Sequence, residues 1–465
     1  MTLRQRYGRA CAAAVDERPR AVGLALVVLA AAFIALLCCA APARGTAGAV
    51  TWDKTWNTSR PGTVSSATAV AKPGGGVYVA ASLLRPSGNI DISVLRFSSA
   101  GKRLWTRFYD GPSHGIDWME GIAVDGRGNV VVCGATFSVS GKDDWVVLKY
   151  APDGRRRWVR KLAGAYRRAD IPEAIAVDRR GDVVVAGALT RKTTGGDWCV
   201  VKYSAAGTLL WRTTMTRSIR GLDQPLALAV DPADAHIYVT GRMYGSQSGD
   251  DTVTVRYRPN GRRVWSKRWT GTGGGPDHGG AIAVSPAGVA VAGVTTNPAS
   301  GGDGLVLRYS KGGVLRWERV VDGGQGGSGV DRFAAVAIDS EGGVTVAGSL
   351  TTTAEHGQDV TVVRYGPSGI GAGHWSLEGA GHDEAALDVV VAATGRTYAA
   401  GTTAGATGPD VVVAGLSNVL LPLWPALLYD RGDRDDQAQS VSLTSGAMYV
   451  AGVSGSDLLV LKILR

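Results

Sequence analysis

The chain has 465 residues, a formal net charge of +10 at neutral pH, and 66 glycines against only 5 phenylalanines. With 45% hydrophobic residues it can bury a core, and its length fits one large repeat domain or two to three ordinary domains. Five cysteines are too few for a disulfide framework, and without a long Lys/Arg run or a nucleic-acid motif we expect no nucleic-acid partner.

The first predicted element is a targeting segment. Residues 21–40 are apolar and uncharged and follow an arginine-rich stretch. Small residues at 41–43 and 47–49 fit signal-peptide cleavage, whereas an apolar run of about 20 residues is also long enough to span a bilayer. We therefore assign residues 1–49 to a signal peptide or to an N-terminal membrane anchor with its linker, and expect residues 50–465 outside the cytoplasm.

From residue 50 onward the chain repeats with a period of about 53 residues. Each repeat has four short segments rich in β-branched residues and bounded by Gly, Asp and Ser, which we name strands A to D in chain order. Sustained helical periodicity is missing, so residues 50–465 are predicted to be all-β. The period is marked by the tryptophans Trp52, Trp105, Trp158, Trp211, Trp265, Trp317, Trp375 and Trp424.

Strands B and C can each be counted eight times. The last repeat stops at Arg465 before any strand D, and VTWDKTW at 50–56 has the pattern of that missing strand. We predict an eight-bladed β-propeller of four-stranded blades in which the N-terminal strand completes the last blade and leaves no open sheet edge. Seven blades is the alternative, if the irregular repeat at 386–424 is distorted.

The repeat pattern D…AIAVD..G.VVVAG……D..V.KY…G…W resembles the SBBP-type bacterial β-propeller repeat over nearly all of residues 50–465. This resemblance implies the propeller architecture and brings no catalytic residues, because the family is largely uncharacterised. The Gly-x-x-x-Trp step is also similar to the tryptophan repeat of quinone-binding propellers. The domain has no adjacent-cysteine pair or metal-ligand set to accompany that step, so we expect no cofactor.

Residues that recur in every repeat are predicted to build the blade. We expect the Asp that opens strand C to accept backbone N–H groups of the preceding loop, and the Trp to pack between neighbouring sheets. The Lys or Arg near the end of strand C should lie over an aromatic ring or pair with a turn carboxylate. Cys133 and Cys199 replace small apolar residues, which favours two buried thiols; a bridge between adjacent repeats is the alternative.

Functional residues are expected where the blades differ, in the B–C and D–A loops of the face that we call the top. Three D–A loops place a histidine beside acids, a combination suited to metal binding or acid–base chemistry. Because these loops belong to distant blades, we predict ligand binding with no catalytic residue and no resident metal. The candidates are His114, Asp117, Asp277, His278, His382, Asp383 and Glu384.

The A–B and C–D turns share the opposite face, the bottom. Arginine-rich turns at 101–107, 154–161 and 261–269 gather there, so an anionic membrane surface is a candidate partner. We predict an exported, monomeric, non-enzymatic binding or scaffolding module for a protein or glycan of the cell envelope. The alternatives are a hydrolase or lyase acting on cell-wall polymer at the top-face channel opening, and a purely structural envelope protein.

Overall fold

The apolar segments of the repeat form β-strands, and the described part of the computed structural model contains 32 of them. Residues 21–40 lie outside the described part of the chain, and the described part contains no helix of the length and apolarity needed to cross a membrane. The structure describes residues 47–56, 64–72, 74–137, 143–164, 169–191, 195–216, 221–245, 249–297, 301–323, 331–353, 357–377, 384–404, 408–430, 432 and 435–465.

The strands are numbered in chain order. They are β1 (Val50–Trp56), β2 (Val64–Ala71), β3 (Val77–Leu84), β4 (Ile90–Phe97), β5 (Arg103–Tyr109), β6 (Asp117–Val124), β7 (Val130–Phe137), β8 (Asp143–Tyr150), β9 (Arg156–Leu162), β10 (Ile171–Val177), β11 (Val183–Arg191), β12 (Gly195–Tyr203), β13 (Leu209–Met215), β14 (Gln224–Val230), β15 (Ile237–Gly245), β16 (Gly249–Tyr257), β17 (Arg263–Trp269), β18 (His278–Ser285), β19 (Gly288–Asn297), β20 (Gly301–Tyr309), β21 (Leu315–Val321), β22 (Arg332–Ile338), β23 (Val344–Thr353), β24 (Gly357–Tyr365), β25 (Gly371–Leu377), β26 (Ala385–Val391), β27 (Thr397–Ala404), β28 (Pro409–Leu416), β29 (Leu427–Tyr429), β30 (Asp436–Leu443), β31 (Ala447–Ser454) and β32 (Asp457–Leu464).

The strands pair antiparallel into eight four-stranded sheets, the blades of a β-propeller. Seven blades use four consecutive strands, and blade 1 begins with β2. Blade 8 has the order β1-β32-β31-β30, and β1 pairs with β32 from Val50↔Ile463 to Trp56↔Leu458. The prediction of eight blades closed by the N-terminal strand is therefore confirmed, and the seven-blade alternative is wrong.

The blades form a closed ring. Strand A of every blade contacts strand A of the next, and β30 contacts β2 to complete the circle, so the A strands are innermost. Eight hydrophobic clusters fill the eight interfaces between neighbouring blades. Because each core belongs to two blades, removing one blade would expose two apolar faces.

The repeated tryptophan packs between neighbouring blades, as predicted, and we call this contact together with its hydrogen bond the tryptophan latch. The ring of Trp158 in blade 2 packs 6.2 Å from that of Tyr203 in blade 3, and its Nε1–H donates to the carbonyl oxygen of Ala205 at 3.1 Å. Trp52, Trp105, Trp211, Trp265 and Trp317 make the same bond, at 2.9–3.1 Å, to the C–D turn of the following blade.

The irregular repeat forms a complete seventh blade with a changed latch. Where blade 6 should present its tryptophan, Gly373 pairs with Arg364, and Trp375 lies two residues further along β25. Leu420 takes the blade 7 turn position that is glycine in other blades, at φ 61, and it is buried at 2% exposure. The leucine side chain thus fills space that a tryptophan ring fills elsewhere.

In several blades the cation near the end of strand C is held by turn carboxylates or lies over a ring, as predicted, whereas Arg308 and Lys462 donate to backbone carbonyl oxygens. Lys149 pairs with Asp125 at 3.0 Å, and Lys202 pairs with Asp178 at 2.7 Å, all four side chains being buried. In blade 1 the guanidinium of Arg96 instead lies 5.7 Å from the centre of the Tyr78 ring.

Both cysteines of the propeller are buried free thiols. Cys133 and Cys199 lie in the same hydrophobic cluster between blades 2 and 3, and neither forms a disulfide. Burial raises the pKa of both thiols, which keeps them protonated and unreactive.

Candidate functional site

The predicted acids of the D–A loops are buried caps. Asp117, Asp277 and Glu384 stand at or just before the start of strand A and are at most 2% exposed. Asp117 accepts the Gly111 N–H at 2.6 Å. The hydroxyls of Thr295 and Thr403 donate to Asp277 and Glu384. Asp170, Asp223 and Asp331 occupy the same place and also accept backbone N–H groups.

This loop-capping role was predicted for a different Asp, the one that opens strand C. In the structure, several strand-C carboxylates meet side chains from the end of strand B, whereas Asp251 pairs with Arg268 of strand D. Asp91 pairs with Arg85 at 3.3 Å, and Asp197 pairs with Arg191 at 2.9 Å. The acids at the start of strand A therefore bind the backbone of the D–A loop, whereas Asp91 and Asp197 of strand C connect strands B and C of one blade.

The two described histidines of the candidate set have different surroundings. His114 is exposed, has a φ of 51, and its Nδ1 lies 2.7 Å from an oxygen of Asp110, which raises the pKa of the histidine. His278 is half-buried at the start of β18, and burial together with Arg242 lowers its pKa. One favours the charged form and the other the neutral form.

The structure does not bring the candidate residues together into one site. His114 and Asp117 lie at the entrance to blade 2, Asp277 and His278 at blade 5, and Glu384 at blade 7. His382 and Asp383 lie outside the described residues. Their role in ligand binding stays a prediction for each loop separately.

A polar group that sequence reasoning missed lies on the innermost strands. In seven blades strand A has a β-bulge at an equivalent register, so one residue of each strand is left out of the ladder. The bulged residues differ around the ring. In blades 2 to 8 they are Glu120, Glu173, Leu226, Gly280, Ala334, Leu387 and Gln439.

One of the two bulged glutamates, Glu173, starts a chain of polar contacts across blades 3 and 4. Gln224 donates its Nε2–H to Glu173 at 2.5 Å, and Arg242 donates to the side-chain amide oxygen Oε1 of Gln224 at 2.8 Å. Arg242 also pairs with Asp250 at 3.2 Å. Glu173 is therefore held in place through the amide of Gln224.

Glu120 is different, because it has neither hydrogen bond nor ion pair within the described residues. The Glu120 side chain is in contact with solvent, but the protein atoms of the ring around it reduce its hydration. The neighbouring Glu173 carboxylate also repels the negative charge of ionised Glu120. Together these effects raise the pKa of Glu120 to about 7. Burial also raises the pKa of Glu173, although Gln224 and Arg242 oppose it. Glu120 and Glu173 together form an acidic patch, in which the carboxyl group of Glu120 can still accept hydrogen bonds.

The signal for this patch was present in the sequence. The strand-A segments WMEGIAV and IPEAIAV carry a glutamate where the others carry a small, apolar or amide residue. A charge inside an otherwise apolar strand motif marks a position that the fold does not require. Variation between blades in the loops is larger than in strand A, so a pattern of loop residues does not reveal this glutamate.

The bottom face carries the predicted basic turns. A cleft of about 860 Å³ lies between blades 2 and 3, with the buried Lys149–Asp125 pair in its wall. Its lining includes Arg127, Arg157, Arg179 and Arg180. Four guanidinium groups around one cleft favour an anionic contact there.

Comparisons with known proteins identify the fold alone. No protein-family model and no curated protein matches the chain. The solved structure of Sqt1 from Chaetomium thermophilum bound to the N-terminus of the ribosomal protein L10 matches with a TM-score of 0.55 and 11% identity, over 86% of this chain and 97% of that chain. A structure of Sqt1 from the same organism matches with a TM-score of 0.52 and 12% identity, over 86% and 94% of the two chains. The chain is thus similar in fold to these proteins.

Proposed function

We propose that the protein is a non-enzymatic binding or scaffolding module that holds a protein partner over the top of the ring, at the acidic patch of Glu120 and Glu173. The observation that carries this proposal is the isolated Glu120 carboxyl on the innermost strand. The surrounding protein and the Glu173 carboxylate disfavour its ionised form, which raises its pKa. A Lys or Arg side chain of a partner would supply the missing opposite charge.

The variation among bulged residues supports the same proposal. Most blades share the tryptophan latch and the buried caps, which serve the fold, whereas the bulge changes from acidic in blades 2 and 3 to leucine in blades 4 and 7. Acidic and apolar positions on one ring suit a peptide segment with basic and apolar residues. Sqt1, a propeller of similar fold, was solved bound to the N-terminus of a protein, an analogy of fold only.

The test is cosedimentation of the purified protein with isolated cell envelope. Binding should be lost when the envelope is first treated with protease, and should weaken about tenfold in a Glu120→Gln/Glu173→Gln double variant, the loss of roughly 1.4 kcal/mol. Glu341→Gln is the matched control, because Glu341 lies in an A–B turn at the opposite face. Binding that survives protease treatment would indicate a glycan partner. Unchanged binding of the double variant would show that the acidic patch is not the binding site.

Export and membrane contact are further parts of the proposal. The apolar segment 21–40 supports placement of the propeller outside the cytoplasm. Protease added to intact cells should then degrade the propeller; full protection until lysis would contradict export.

The arginine cleft supports contact with anionic headgroups. Vesicles containing phosphatidylserine should bind at low salt, and an Arg179→Gln/Arg180→Gln variant should bind less.

An enzyme acting on cell-wall polymer is the second candidate, and Glu120 is the observation that favours it. A carboxyl group with a pKa near 7 beside a second carboxylate has the properties of a general acid. Release of reducing ends from purified cell-wall polymer, abolished by Glu120→Gln, would support an enzyme. Binding without turnover would support the module.

A further inference from the structure

Three carboxylates meet where blade 1 packs against blade 2. Asp91 belongs to β4, Asp110 follows β5, and Asp117 opens β6. One oxygen of each acid lies within 4.8 Å of the others. Carboxylates this close repel one another unless a proton or a cation lies between them.

One of these carboxylates has a buried oxygen with nothing to bind. Asp91 is only 4% exposed, and its Oδ2 lies 3.3 Å from Nε of Arg85. Its Oδ1 is buried and has no hydrogen-bond partner in the described part of the chain. Burying an acceptor without a donor is costly, so this oxygen points to a ligand that the protein itself does not supply.

The other two acids give the cluster a rigid side and an accessible side. Asp117 is fully buried, and the Gly111 N–H fixes its Oδ2 at 2.6 Å. Asp110 is exposed, with a side chain that is 37% accessible and is held by His114. Arg85 offsets one of the three negative charges and a protonated His114 offsets a second, so the cluster keeps a net charge of −1 to −2 for an incoming cation.

The same arrangement recurs between blades 5 and 6. Asp303 in strand C, Asp322 after strand D and Asp331 before the next strand A bring one oxygen each within 4.8 Å of the others. Here Asn297 takes the place of Arg85 and donates its amide to Asp303 at 2.9 Å. The second cluster therefore keeps three acids with a neutral partner at the strand-B position.

We propose that each cluster binds one divalent cation, and that calcium is the ion it fits best. All three side-chain ligands are carboxylate oxygens, which calcium and magnesium prefer over nitrogen or sulfur. Calcium accepts irregular geometry and fills its remaining positions with water or backbone carbonyls, whereas magnesium demands a near-ideal octahedron. Each ion would join two blades. This inference does not depend on the proposed binding partner.

Isothermal titration of the purified full chain with CaCl₂, after removal of metal with EDTA, tests the proposal. We expect two sites with dissociation constants on the order of 10⁻⁵–10⁻³ M. Asp110→Asn should weaken only the first site, and Asp322→Asn only the second, each at least tenfold. Both residues are exposed, and the unfolding temperature of each variant in EDTA checks that the substitution leaves the fold intact. Glu341→Gln is the charge control and should bind like the parent.

Added calcium should also raise the midpoint of thermal unfolding, because a ligand that binds only the folded state stabilises it. The double variant Asp110→Asn/Asp322→Asn should lose this rise. The proposal is overturned if no saturable heat is seen up to about 10 mM calcium, if both single variants bind like the parent, or if magnesium binds as tightly as calcium.

Discussion

Gly207 shows how one residue serves two requirements of the repeat. It sits in the C–D turn of blade 3 at φ +87, a conformation that residues with a Cβ rarely adopt. A Cβ built on it would lie 2.8 Å from the indole ring of Trp158 in blade 2. The turn conformation and the tryptophan latch therefore both require a residue without a Cβ at this position.

The first prediction concerns this glycine. Gly207→Ala should lower the free energy of unfolding by about 1–3 kcal/mol, because it adds strain at positive φ and displaces a packed ring. Chemical denaturation monitored by tryptophan fluorescence measures the change. Gly126→Ala is the matched control, since a Cβ there meets no atom within 4 Å and φ is not positive. Equal effects of the two substitutions would contradict the account.

The second prediction at the residue scale is a pH dependence that comes from Glu120. Its pKa rises from 4.5 to about 7 on folding. Below about pH 4.5 both states bind the proton, so Glu120 contributes nothing. Between these values only the folded state keeps the proton, so stability falls as pH rises, and the full penalty is present above pH 7.

Glu120→Gln should therefore change stability little at pH 4.5 and increase it at pH 8. We expect a gain of about 1 kcal/mol, well below the full linkage value, because solvent screens this exposed side chain. Thermal unfolding of both proteins across pH 4.5–8 measures it. The control is Gln439→Glu, which places a carboxyl on the bulge of blade 8 and should produce the opposite trend. A pH-independent difference would show that Glu120 is solvated normally.

At the scale of elements, β1 closes the ring by completing a blade that begins at the other end of the chain. It hydrogen-bonds to β32, whose neighbouring residues Leu458, Leu459 and Val460 are at most 1% exposed. Without β1, strand β32 would be an edge with an apolar run and open backbone groups. Such edges recruit other strands.

Deleting residues 50–56 should therefore lower the midpoint of thermal unfolding and promote association. A synthetic peptide of residues 47–56 added in trans should bind the truncated protein and restore its midpoint. The same peptide with Trp52→Ala is the control, because it keeps the backbone ladder but lacks the latch to Ser99. Light scattering follows association. A truncated protein that stays monomeric and fully stable would contradict this role for β1.

The elements also show how far the sequence could be interpreted. Strand count, strand order and ring closure were predictable, because alternation and the tryptophan period report directly on pleat and packing. The exchange of a tryptophan for Gly373 and of a turn glycine for Leu420 was not. These residues lie 47 positions apart and compensate only across the interface of blades 6 and 7. A repeat pattern describes each blade singly and cannot reveal such a pair.

The candidate site was less predictable for a related reason. The sequence showed that histidines and acids share D–A loops, but burial decided their roles. Asp117 and Asp277 turned inward to cap backbone groups. Glu120, one residue in an apolar strand, gained its unusual pKa only from the ring around it and from Glu173 of the next blade. Contacts between blades are a property of the closed ring.

At the scale of the whole molecule, the first and last strands of the propeller meet within one blade. The Gly48 N–H donates to the carbonyl oxygen of Leu464 at 2.9 Å, and the Leu464 N–H donates to that of Ala49 at 3.0 Å. The ring is thus closed by a backbone ladder inside blade 8. Among the described residues, the junctions between neighbouring blades have no such ladder and are held by side-chain packing, by the tryptophan hydrogen bonds and by the connecting loops. Cutting the chain at such a junction would leave packing and these isolated hydrogen bonds to hold the ring together.

The last prediction follows from this difference and uses circular permutation of residues 47–465. One permutant joins residue 465 to residue 47 and opens the chain between Lys311 and Gly312, in a C–D turn like the natural break. It should unfold close to the parental temperature. A second opens between Gly273 and Gly274, in the D–A loop between blades 4 and 5. It should unfold at a lower temperature and lower denaturant concentration, because no strand pairing spans the new break. Equal stabilities would show that side-chain packing between blades suffices to close the ring, and that the shared blade contributes nothing to stability.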